Sequence, residues 1–297
     1  MLVVFACAVG IVGTSVMITN KNTDNAKNKN DSLWNIVNGS DSGDDSNTPT
    51  SGPNGEPLVS KTDSQVGKYA DIDGDGTVDG IIFADLMVGG SGQWNWQRYT
   101  ISTIDSSKEY YVSQESYTDV LGGSAEVLTP VGKGNDRFYI MALSDIDSKV
   151  HDWYTAAYSN GISDYRTLTS YNFGTGKQNT INMMEKWNNE EFGKQNAGLD
   201  NPHTNISNSA YTDMWDIIQD EVNNGWFIPS SAEWAAFADA VNINQNNLPD
   251  NSAEKGLNFY WTSSLYDTKH ADFIIFSNGL PNMTLDSDCY VRLAKTF

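Results

Sequence analysis

Apolar side chains fall into three regimes along the chain. Residues 2–18 read LVVFACAVGIVGTSVMI, 17 positions without a charge. Residues 20–64 are dominated by Asn, Asp, Ser and Gly, and Trp34, Ile36 and Val37 are the candidates there for a local contact. From about residue 65 onward apolar residues return in short periodic runs, strand-rich first, then helical, then strand-rich again. Residues 137–143 and 153–158 carry the aromatic and β-branched composition of strands. Residues 180–187 and 211–222 have helical spacing, the second with Met214, Ile217, Ile218 and Val222 on one face and Asn223-Asn224-Gly225 as its stop. Ser230 followed by Glu233 forms a capping box, and the helix behind it buries Trp234, Phe237 and Val241. Runs at 259–264 and 290–294 read as closing strands, whereas 265–290 mixes polar, apolar and aromatic residues with no period.

Composition sharpens this division. Thirty-eight acidic against 18 basic side chains give a net charge of −20, and no cluster of Lys or Arg offers the counterion-release binding that nucleic acid requires. The same balance disfavours attraction to an anionic membrane surface. A helix over residues 2–18 is about 25 Å long, at the lower limit for spanning hydrocarbon. Residues 1–19 are therefore expected to be a membrane anchor or signal helix. The absence of a small-x-small cleavage site favours a retained anchor at the cell surface, although Lys21, Lys27 and Lys29 by themselves favour the opposite orientation. Residues 20–64 are too poor in apolar side chains to offset their ordering entropy and are expected to be a disordered linker, spanning roughly 35–40 Å as a flexible chain. That leaves 65–297 as one folded α+β domain. Two cysteines, Cys7 and Cys289, and three scattered histidines leave little for a disulfide framework or a zinc site.

Residues 71–80 read DIDGDGTVDG between two apolar runs. Asp71, Asp73, Asp75 and Asp79 fit D-x-D-x-D-G-x-x-D, which resembles the calcium loop of integrin-type propeller repeats and the first half of an EF-hand. Alternate side chains of a tight loop point inward, Gly76 permits the bend, and the carbonyl of Thr77 supplies a neutral oxygen. Ile82 stands where an EF-hand needs a bidentate Glu, so a strand–loop–strand site with a structural calcium over 71–79 is the expectation. Phe173-Gly174-Thr175-Gly176-Lys177-Gln178 lacks the spacing of a phosphate loop and reads as a turn. Ser91 lies outside any G-x-S-x-G, and carboxylate pairs such as Asp145/Asp147 read as solvated surface.

The order Ile228-Pro229-Ser230-Ser231-Ala232-Glu233-Trp234, then Trp261-Thr262-Ser263, then Val291-Arg292-Leu293 resembles the C-type lectin fold in the branch shared with the formylglycine-generating, sulfatase-modifying family. Tyr260-Trp261-Thr262-Ser263-Ser264, Phe276-Ser277-Asn278-Gly279 and the closing Val291-Arg292-Leu293 further resemble the variable region of diversity-generating retroelement target proteins, here 261–297. Adenine-directed mutation of Asn codons cannot yield Trp, Met, Lys, Glu or Gln. Among the 26 residues from Leu265 to Tyr290 only Lys269 and Met283 belong to that set. The resemblance implies a non-enzymatic, surface-displayed binding protein braced by Trp226, Trp234, Trp261 and Phe276, with a protein or glycan ligand on another cell or a phage. The implied contact residues are Tyr266, Asp267, His270, Phe273, Ile275, Ser277, Asn278, Leu280, Asn282, Thr284, Leu285, Ser287 and Cys289. A pilus- or wall-associated structural adhesin is the second reading, suggested by the apolar run, which resembles part of a type IV pilin leader. An enzyme of the sulfatase-modifying type is a third; it lacks the family's paired cysteines, since only Cys289 lies in the body. The sugar-binding triplets of vertebrate lectins are also missing, so calcium-bridged sugar recognition is not implied.

Overall fold

A computed structural model of the chain describes residues 48–105, 107–189, 213–242, 259–276 and 281–297. The expected anchor helix, most of the linker, and Ser277, Asn278 and Leu280 lie outside the described residues. Among the described residues no helix is long and apolar enough to cross a membrane.

The architecture is α+β and rich in strands. Among the described residues thirteen strands run in chain order as β1 (Tyr69–Ala70), β2 (Gly80–Asp85), β3 (Gly90–Trp94), β4 (Gln97–Ile101), β5 (Glu109–Asp119), β6 (Gly123–Val131), β7 (Phe138–Ala142), β8 (Val150–Asp152), β9 (Phe259–Leu265), β10 (His270–Ile275), β11 (Asn282–Thr284), β12 (Asp288–Tyr290) and β13 (Ala294–Thr296). Six helices among the described residues lie between β8 and β9: α1 (Thr155–Asn160), α2 (Tyr165–Leu168), α3 (Gly176–Trp187), α4 (Met214–Ile217), α5 (Gln219–Asn223) and α6 (Ser231–Ala240). One sheet has the order β13-β7-β2-β1-β6-β5, so the last strand joins the sheet that the first strands build. A second has the order β11-β10-β9-β12-β8, and β3-β4 form a separate hairpin.

Strand β2 explains how the first sheet is filled. Its residues alternate faces: Ile81 and Phe83 enter the core between this sheet and α6, while Ile82 packs on the opposite face with Tyr110, Phe138, Ile140 and Phe297. All six positions are buried, the mark of a strand covered on both sides. Helix α6 is the central pillar: every residue from Ser231 to Ala238 is buried, with Trp234 stacked on Tyr260 at 5.0 Å and edge-on to Phe276 at 6.0 Å. Its capping box is present, with the Glu233 backbone N–H donating to Ser230 Oγ and the Ser230 N–H donating to Glu233 Oε2. A second core lies between the other face of the second sheet and α3, built on Trp153, Trp187, Trp215, Trp261 and Met183. Of the four expected braces, Trp234, Trp261 and Phe276 are fully inside, and Trp226 is half-buried between two clusters.

Three expectations need correction. Residues 153–158 are not a strand: β8 ends at Asp152 and α1 begins at Thr155, whose backbone N–H is satisfied by Asp213 Oδ1 at 2.9 Å. The helix expected over 211–222 is broken into α4 and α5 at Ile218. Finally, the linker does not reach residue 64. Leu58 bridges to Tyr111, Val59 donates to the Tyr110 carbonyl, and the Arg137 guanidinium donates to the carbonyls of Ser60 and Asp63. Arg137 is itself buried and bidentate on Asp85 at 2.9 Å through both contacts. Backbone carbonyls serving a buried cation hold this polar stretch in place despite its composition.

Candidate functional site

Two places carry chemistry. The first is the loop joining β1 to β2. Asp71 accepts from the N–H groups of Gly74 and Gly76, Asp73 from Asp75, Asp75 from Thr77, and Asp79 from Ile72. Gly74 and Gly76 have φ of +77° and +89°, a region that L side chains rarely adopt, which is why glycine stands at both. The result is a tight turn in which carboxylate oxygens of Asp71, Asp73 and Asp79 all lie within 4.8 Å of one another. Asp75 is exposed and is not one of the three carboxylates that converge; Thr77 is exposed as well. Burial, and then the charges of Asp73, Asp71 and Asp75, push the Asp79 carboxyl above its ordinary range, against a hydrogen bond from Ile72. Three converging carboxylates repel in the absence of a counter-charge, so the group can hold a metal ion. The strand–loop–strand setting is the one expected from the sequence.

The second place is the open part of the C-terminal sheet. In the β10–β11 ladder His270 lies opposite Thr284 and Asp272 opposite Asn282, so these four share one face. Helix α6 covers the continuation of that face at Ile274 and Phe276 and ends, at its N-terminus, where the Ser231 hydroxyl donates to Asp272 Oδ2 at 2.7 Å. The residues before Asp272 are therefore left uncovered by the helix. Beneath this border runs a chain of short hydroxyls: Thr262 donates to the Asp272 carbonyl, Ser231 N–H to Ser264 Oγ, and Ser264 to the Ser170 carbonyl. Thr262, Ser263 and Ser264 are wholly buried, and each makes a hydrogen bond that replaces water. Burial pushes Asp272 up to about 6, opposed by the Ser231 hydrogen bond.

The implied contact residues divide along strand alternation. Tyr266 is 58% exposed and Asn282 is exposed, while His270, Thr284, Ser287 and Asp267 are half-buried at the surface. Asp267 also shapes the β9–β10 turn by accepting from the N–H groups of Lys269 and His270 and from the His270 ring at 2.7 Å. Those bonds outweigh its burial and hold its carboxyl below the usual range. Ile275 is half-buried against the α3-side core. Phe273, Leu285 and Cys289 are corrections: at 6%, 0% and 0% exposure they belong to that core. The alternation that brings His270 and Asp272 outward turns Ala271 and Phe273 inward, where the Phe273 ring meets Trp261 edge-on. Burial pushes the Cys289 thiol up, with Asp288 adding to it, and the thiol donates to Met283 Sδ.

Sequence reasoning missed Asp272, Ser231 and Tyr171. Tyr171 is 58% exposed, and its carbonyl accepts from Ala232, next to Ser231. Two residues before it, the Thr169 hydroxyl accepts from Leu265 N–H beside Tyr266. Only the bonding of segments about 95 residues apart sets residues 169–171 beside 264–266, and no local signal reports that. Comparison of the chain with protein-family models, with curated proteins and with solved structures finds no match.

Proposed function

We propose that the chain is a non-enzymatic recognition protein, held at a surface by its apolar N-terminal run. In this reading the lectin-like scaffold presents the outward residues of 261–297 as an interchangeable contact face, and a calcium ion at Asp71, Asp73 and Asp79 braces the β1–β2 hairpin. The observation that carries it is the sorting of the C-terminal segment. Tyr266, His270, Asn282 and Thr284 face out, while Phe273, Leu285 and Cys289 fill the interior. An outward set on a packed frame can change chemistry without disturbing the core. The meeting of the last strand with the first strands in one sheet, and the buried Trp234, Trp261 and Phe276, support the lectin-like comparison. A protein partner of ordinary size covers about 800 Å² per side, within the reach of one sheet face and its loops.

The test is sequence variation among sibling isolates. Under this reading substitutions concentrate at positions 266, 270, 282 and 284 and spare 273, 285 and 289. They are accompanied by a nearby reverse transcriptase gene and a template copy differing at adenines. Invariance of the outward positions, or changes spread evenly over both sets, overturns it.

A further inference from the structure

The uncovered end of the C-terminal sheet combines exposed tyrosine faces with carboxylates. Tyr171 and Tyr266 are each 58% exposed and lie on segments joined by the Thr169–Leu265 hydrogen bond. Asp272 and Asp267 sit on the same stretch of sheet, and the Ser231 hydroxyl fixes the Asp272 carboxylate in place. The neighbourhood already stacks cations on tyrosines. Lys269 Nζ lies 5.8 Å above the Tyr158 ring, and the Arg166 guanidinium lies 5.5 Å above Tyr165 in α2, the helix that leads into Tyr171. Among the described residues no such cation stands over Tyr171 or Tyr266. A ring face with a carboxylate beside it attracts a guanidinium or ammonium through the ring quadrupole and a charge-assisted hydrogen bond together. The chain's charge of −20 favours a cationic partner further and steers its approach.

We infer that this end of the sheet, between Tyr171, Tyr266 and Asp272, receives an arginine or lysine side chain presented by a protein partner. The inference rests on the contact-face reading above and adds the chemistry of what is contacted. Selectivity follows from the same parts: an acidic side chain is repelled by Asp267 and Asp272, and a neutral one loses the charge-assisted bond.

The test uses the full chain with carbon-13-labelled tyrosine rings, titrated with acetyl-Gly-Arg-Gly-amide and, separately, with acetyl-Gly-Glu-Gly-amide. The expected result is saturable movement of the Tyr171 and Tyr266 ring signals with the arginine peptide alone, weakened by added salt. Asp272→Asn, which retains the acceptor for Ser231, and the surface change Tyr171→Ala should each weaken binding about tenfold. Arginine-induced shifts spread evenly over the other tyrosines, or unaffected by both substitutions, overturn the inference. A protein ligand that loses affinity on Tyr266→Ala yet binds without salt dependence leaves the contact face standing and overturns only the cationic class. Sibling chains with invariant outward positions remove the contact-face reading itself, whatever the peptide does.

Discussion

At the far flank of the C-terminal sheet two carboxyls, Asp152 and Asp213, are buried together with a third, Asp288, exposed beside them. Asp152 on β8 is wholly buried and lies opposite Asp288 on β12, whose carboxyl favours a proton on Asp152. Asp213 approaches from the segment before α4, and the Thr155 hydroxyl sits 2.9 Å from an oxygen of both Asp152 and Asp213. The indole N–H of Trp187 occupies the other Asp213 oxygen. Burial first, then the charges of Asp213 and Asp288, push the Asp152 carboxyl up to about 8, against the opposing Thr155 hydrogen bond. In an unfolded chain the same group titrates near 3.9. A group raised on folding stabilises the fold fully below the unfolded value, and that contribution is lost as pH climbs to the folded one. At 1.36 kcal/mol per pH unit the loss between pH 4 and 8 has an upper bound of about 5 kcal/mol. Screening and sharing of the proton among the carboxyls reduce it to on the order of 2–4 kcal/mol. Asp152→Asn keeps the acceptor for Thr155, offers an N–H to Asp288 and does not titrate. At pH 8 it should melt higher than the native chain, by on the order of 5–10 °C, and the two should converge near pH 4.5. Differential scanning calorimetry of both chains across that range, at fixed calcium, gives the comparison. A gap that stays constant with pH, or a variant less stable at pH 8, refutes the proton-sharing arrangement.

Millimolar calcium should raise the melting temperature of the full chain by a few degrees, with an apparent Kd of roughly 10⁻⁴–10⁻³ M by isothermal titration. Asp73→Ala should abolish both the heat of binding and the shift, and unchanged melting with calcium or chelator counts against the site. Arg137→Met leaves Asp85 buried without its partner and should cost about 3–5 kcal/mol in urea unfolding. The same change frees the carbonyls of Ser60 and Asp63, so limited proteolysis should cut near residues 58–64 well before the native chain is cut there.

What the sequence made legible was local. The Ser230/Glu233 capping box places α6 because its signal is complete within four residues. The D-x-D-x-D-G loop is equally self-contained, each aspartate serving an N–H a few residues away. The start of α3 was hidden for the opposite reason. The turn at 173–176 becomes a helix start because the Glu233 carboxylate, nearly 60 residues on, accepts from the N–H groups of Gly174 and Gly176. Burial pushes that carboxyl up to about 7, against its hydrogen bonds with Ser230, Gly176 and Gly174. A side chain at Gly176 meets the same carboxylate, so this glycine answers to a neighbour distant in sequence. The missing period in 265–290 also has a physical source. Helix α6 buries Ile274 and Phe276 on the very face that leaves His270 and Asp272 at the surface, so a single face changes from polar to apolar along β10. One strand thus carries a two-sided core at one end and a one-sided core at the other, a pattern that composition reads as disorderly.

The separation of frame from face is tested most directly by comparing two sets of substitutions in the same chain by urea unfolding. In the first, Tyr266→Asn, Asn282→Ser and Thr284→Ser are combined; in the second, Phe273→Ala and Leu285→Ala are made singly. The first set should leave unfolding free energy within about 1 kcal/mol of native, the range of surface changes, while each member of the second costs about 2–5 kcal/mol. A first set that unfolds as readily as the second shows that those side chains hold the interior together and are not free to change.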